Sequence, residues 1–132
     1  MTVKIDQAFT NAFITAEYGL PIAHENLPYV PVPGTAYAEL IVAQNDQSPF
    51  SITDSNETTG VFRVILRYPL LSGAIGIKTM ADTISATFKI GTLLTYDGQS
   101  VKINRVGRDV GFPEEGWYKI VLTFTYWAYI AR

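Results

Sequence analysis

The residues that could do chemistry are few and scattered. His24, the single histidine, stands beside Glu25 and could serve as a general base. No serine or threonine is recognisably paired with it, and the chain has no cysteine to act as a nucleophile or thiolate ligand. Ser72-Gly73-Ala74-Ile75-Gly76-Ile77-Lys78-Thr79 has the setting of a phosphate-binding loop, after one strand pattern and before a helix pattern. Its spacing fails, because Ile77 stands where that loop needs glycine next to the lysine. Glu114-Glu115 falls in a turn, Phe112-Pro113-Glu114-Glu115-Gly116, and reads as solvated. Asp54 and Glu57 lack metal-ligand spacing. Arg63, Arg67, Lys102, Arg105 and Arg108 could form a small basic patch, though outer-face charges are the simpler reading. No catalytic, cofactor or metal residue is expected.

Composition points elsewhere. The chain has 132 residues and a formal net charge of −2, and 17% of its residues are charged, below the ~25% of ordinary globular domains. Phe, Tyr and Trp supply 13%. A thin polar surface with many aromatics suits a partner surface. The near-neutral charge argues against a nucleic-acid binder working by bulk electrostatics, and no specific nucleic-acid binding is expected. No uncharged stretch reaches the ~20 apolar residues of a membrane helix. The first 20 residues carry Lys4, Asp6 and Glu17 without a long apolar run, so no signal peptide is expected. The lack of cysteine suits assembly in the cytoplasm.

The elements that must position these residues follow from periodicity. Residues 3–17 carry Ile5, Phe9, Ala12, Phe13 and Ala16 at helical spacing, and Gly19 with Pro21 stops the helix. A short strand at 22–26 leads into a proline-rich extended link, 27–34, whose PxxP string joins two structured elements. Strands are expected at 35–44 and 61–68, separated by a polar loop from Gln44 to Gly60 whose only apolar residues are Phe50 and Ile52. A second helix over 74–89 would bury Ile77, Met80, Ala81, Ile84 and Phe88. Strands at 92–96 and 101–106 flank Asp97-Gly98, a strong hairpin signal. Residues 117–131 read as one long strand, which at ~3.3 Å per residue is long enough that it must bend or project.

This order predicts an α+β fold: a mainly antiparallel β-sheet with two helices packed on one face and a long C-terminal strand, in a single domain over 1–132. Five residues stand out as candidates for a subunit interface: Phe50 and Ile52 in the loop, and Trp117, Trp127 and Tyr129 on the outer side of the last strand. The competing reading is that all five complete the chain's own core.

Four segments in this order resemble a family of small phage tail proteins of the tail-terminator (tail-completion) type. They are Gly19-Leu20-Pro21-Ile22-Ala23-His24-Glu25-Asn26-Leu27-Pro28-Tyr29 running on through Pro33-Gly34-Thr35-Ala36-Tyr37; Gly60-Val61-Phe62-Arg63-Val64-Ile65-Leu66-Arg67-Tyr68-Pro69; Ala81-Asp82 with Phe88, Gly91-Thr92 and Val101; and the terminal strand ending Thr125-Tyr126-Trp127-Ala128-Tyr129. The resemblance implies a non-enzymatic virion protein, part of the tail and assembled in the host cytoplasm. It implies a homo-oligomeric ring, a hexamer, that stops growth of the tail tube and offers a surface to the head connector. Its partners would be the tail tube protein and head connector proteins, with no membrane and no cofactor. A head-completion or minor tail protein of similar fold is the alternative, and a small ligand-binding or hydrolytic domain using His24 and Glu25 is a third.

Overall fold

The computed structural model describes residues 3–25, 27–45, 48–49, 55–71 and 73–131. The first helix, α1 (Val3–Thr15), buries Ile5, Ala8, Phe9 and Phe13 along one stripe, the face that a 3.6-residue period places inward. It ends before 17. Ala16 N–H still bonds the Ala12 carbonyl, Glu17 N–H reaches back only to Ile14, and Glu17 takes a left-handed φ of 53° ahead of Gly19. The tightened last turn therefore stops the helix two residues earlier than glycine placement alone predicts.

Strand β1 (Ile22–His24) pairs in parallel with β2 (Tyr37–Gln44) at the sheet edge. The proline-rich link joins them without a helix. β2 lies antiparallel to β4 (Ser55–Pro69), and β3 (Ser48–Pro49) pairs with β4 at Asn56 and Glu57. The second helix, α2 (Ala74–Thr87), buries Ile77, Ala81 and Ile84. Then come β5 (Leu93–Tyr96), β6 (Gln99–Arg108), β7 (Phe112–Glu114) and β8 (Trp117–Ala131). Among the described residues these eight strands form one sheet in the order β1-β2-β4-β8-β6-β5, with β3 beside β4 and β7 beside β8. Two tight hairpins carry consecutive left-handed residues, Asp97-Gly98 between β5 and β6 and Glu115-Gly116 between β7 and β8, the backbone that two-residue hairpins require.

Two expectations need correction. The loop predicted from Gln44 to Gly60 is shorter, because residues 55–60 continue β4 in unbroken register with 126–131 of β8. Its inward positions hid the strand pattern. Thr58 faces Ala128 and Gly60 faces Tyr126, so small or polar residues stand where alternation would show apolar ones. Thr58, 1% exposed, donates its hydroxyl to the Asn45 carbonyl at 3.0 Å and so satisfies a buried polar group. Likewise 112–116 is more than a turn, since Phe112–Glu114 forms β7 against Trp117, Tyr118 and Lys119. Pro113 is tolerated there because the strand is an edge.

The core lies between the sheet and both helices. Phe9 of α1 stacks on Phe62 of β4 at 4.6 Å. Phe88, closing α2, meets Phe62 and Phe124, each at 5.4 Å. β8 does not project. It stays paired along β4 and follows a curled sheet, with Ala128 and Ile130 buried. The expected α+β architecture with both helices on one face is therefore what the chain adopts.

Candidate functional site

The opposite face of the sheet carries no helix among the described residues, and β8 sorts its side chains between the two sides. Ile120, Leu122, Phe124, Tyr126, Ala128 and Ile130 are buried inward, so Trp117, Lys119, Thr123, Trp127 and Tyr129 point to the open face. Trp117 and Trp127 are ten positions apart along β8, about 33 Å at ~3.3 Å per residue. Of the five candidate residues, Phe50 and Ile52 lie outside the described residues. The other three fall at opposite ends of the open face.

At one end Trp117 meets Tyr37 of β2 edge-on at 5.2 Å, and Tyr37 meets Tyr29 of the proline-rich link at 4.8 Å. Arg67 donates to Glu39 at 2.6 Å and lays its guanidinium 5.6 Å over the Tyr37 ring. Both charges are half-buried, where such a charge-assisted bond fixes geometry well. Lys119 pairs with Glu114 at 3.2 Å and sits 5.5 Å over Phe112. Trp117, Tyr37, Tyr29, Arg67, Glu39 and Glu114 border a cleft of about 340 Å³ that also receives His24 and Glu115. His24 thus reaches polar company, but its neighbours are carboxylates, aromatic rings and an arginine rather than a hydroxyl nucleophile. The arrangement is suited to recognition.

At the other end Trp127 donates Nε1–H to Glu57 at 3.2 Å and packs edge-on against Tyr129, with ring centroids 4.1 Å apart. A groove of about 320 Å³ runs past both rings to Leu93 and Lys102. Leu93 is 64% and Tyr129 40% exposed, which leaves apolar surface in water. Gln99 donates to the Tyr129 carbonyl at 2.7 Å, satisfying the backbone where β6 leaves β8.

The remaining sequence candidates separate. Ile77 is fully buried in α2, so the residue that spoils the phosphate-loop spacing is a core residue, while position 72 lies outside the described residues, as does Asp54. The five basic residues do not form one patch. Arg67 pairs with Glu39, and Arg108 pairs with Asp82 at 2.8 Å on the helix side. Arg63, Lys102 and Arg105 remain exposed, with no ion-pair partner among the described residues. Sequence reasoning missed Tyr29, Tyr37 and Leu93. The outward position of Tyr37 was legible in the alternation of β2, but its meeting with Trp117 depends on strand order.

Comparison with known proteins agrees with this architecture. A solved protein chain 17% identical in sequence superposes with a TM-score of 0.68, covering 93% of this chain and 94% of its own, a likeness of fold. No curated protein matches the sequence. A family profile described as phage tail terminator protein matches residues 4–126, from the second residue of α1 into β8. The chain therefore belongs to the phage tail terminator family, a structural component of the virion tail.

Proposed function

We propose that this protein, as a single tail-terminator-like domain, forms a closed homo-oligomeric ring, a hexamer, at the end of the tail tube. There it stops tube polymerisation and presents the surface to which the head connector attaches. It works by contact rather than turnover and needs no cofactor. It would be built into the virion from the host cytoplasm. The family match over residues 4–126 carries this reading.

Physical form supports it. A rotationally closed ring needs two different patches on each subunit, because every neighbour meets its partner head to tail. The aromatic ends of the open face, around Trp117 and around Trp127 and Tyr129, are two such patches and differ in character. Native mass spectrometry over a concentration series, alone and with purified tail tubes, tests the proposal. A discrete hexamer, or a discrete number of subunits on each tube end, is expected. A monomer under both conditions, with tubes that continue to grow, would refute it.

A further inference from the structure

The two ends of the open face differ in charge as well as position. At the Trp117 end, Glu115 stands exposed at the hairpin tip with no ion-pair partner among the described residues, beside Glu114. Next to them the proline-rich link exposes Leu27 and Val30, the latter 83% accessible. Glu39 and Glu114 are matched here by Arg67 and Lys119, so Glu115 leaves this end with an acidic excess beside exposed apolar residues. At the Trp127 end, register places Lys102 opposite Trp127, Leu93 opposite Lys102, and Arg105 opposite Thr125. Lys102 and Arg105 are exposed without ion-pair partners among the described residues, beside the exposed Leu93 and Tyr129. With Glu57 bonded to Trp127, this end is apolar with a basic excess from Lys102 and Arg105.

We infer that the two ends are complementary halves of one joint: the Glu114-Glu115 hairpin tip and proline-rich link of one copy seat on the Leu93–Tyr129 groove of the next, against Lys102 and Arg105. The inference rests on the ring reading and names the surfaces that close it. The occupant of each end is a second copy of this chain, because its own opposite end offers both opposite charge and exposed apolar surface. Apolar contact supplies the affinity, and the charges set register and exclude like-with-like pairing, since facing like charges oppose association strongly. Each joint is heterologous, so the same contact repeats around a ring.

Charge reversal tests it directly. A chain with Glu114→Lys and Glu115→Lys, and a second with Lys102→Glu and Arg105→Glu, should each require at least about tenfold more protein for half-assembly at low salt. The effect should shrink in 1 M salt, where screening acts over about 3 Å. Glu115, Lys102 and Arg105 are exposed, whereas Glu114 is half-buried against Lys119, so unchanged circular dichroism and an unchanged melting temperature are required to confirm that both variants fold. Mixing them in equal amounts should restore a closed oligomer containing both in a 1:1 ratio, since each reversed end then meets an opposite charge. Combining all four reversals in one chain should restore assembly as well. A wild-type ring indifferent to either pair of reversals, or no rescue on mixing and combining, would overturn this joint and leave the ring standing. A wild type that never closes, with or without tubes, would overturn both.

Discussion

At the scale of single residues, Gly60 and Tyr126 illustrate how one side chain is accommodated by the absence of another. They are direct partners across β4 and β8, and the fully buried Tyr126 ring passes over Gly60 to donate its hydroxyl to the Ala43 carbonyl of β2 at 3.3 Å. A Cβ at position 60 would lie 2.5 Å from the Tyr126 hydroxyl oxygen and closer still to the Ala43 oxygen. Gly60→Ala is therefore expected to cost about 1–3 kcal/mol by overpacking, measured by chemical or thermal denaturation. Asp6 gives a prediction in pH. Burial, opposed by the Gln44 hydrogen bond and reinforced by the charge of Glu25, pushes its carboxyl above the ordinary 3.8. The folded state thus holds a proton that the unfolded state has released, so this group's contribution to stability is complete below 3.8 and declines as pH rises through the raised folded value. Asp6→Asn should remove that decline, seen as a flatter melting temperature over the same acidic range.

At the scale of elements, Phe88 is the joint between layers. It closes α2 and touches Phe13 of α1 at 6.4 Å as well as Phe62 and Phe124 of the sheet. Phe88→Ala should destabilise by about 3–5 kcal/mol, with both helices loosening together in hydrogen exchange, since their shared contact to the sheet is lost. The long pairing of β4 with β8 explains why residues 55–60 are strand despite their polar composition. Fifteen-residue partners bring backbone groups together in register, and backbone pairing does not depend on side-chain hydrophobicity. The bulge between Ile103 and Arg105 also belongs to this scale. It keeps Ile103 inward and Arg105 outward with one residue extra.

At the scale of the whole molecule, the accessible surface is 7529 Å², against roughly 6,900 Å² expected for a compact monomer of this mass. The excess fits a curled sheet with helices on one side only. Tyr129 is the most direct probe of whether the open face is a contact surface. Tyr129→Asp should leave the melting temperature of the folded chain nearly unchanged while abolishing the closed oligomer in native mass spectrometry. Loss of folding instead would place the side chain in the core and remove it from the interface.

Much of this protein is determined by local sequence. Both helices, the Asp97-Gly98 hairpin and the inward alternation of β8 follow from period, left-handed turn residues and branched or aromatic side chains, each a property of neighbours along the chain. The tail-terminator resemblance was also legible, as an order of weak segments across nearly the whole length. Tertiary structure decided the rest. Residues 55–60 became strand because β8 was present to pair with them, and small inward residues there make room for its bulky ones. Trp117 found Tyr37 of β2 while Trp127 found Glu57 of β4, ten positions apart along one strand, because β2 flanks β4 only over 60–67, towards the Trp117 end. That division into two unlike surfaces depends on strand order and register, which bring together residues far apart in sequence, and no local pattern encodes those distances.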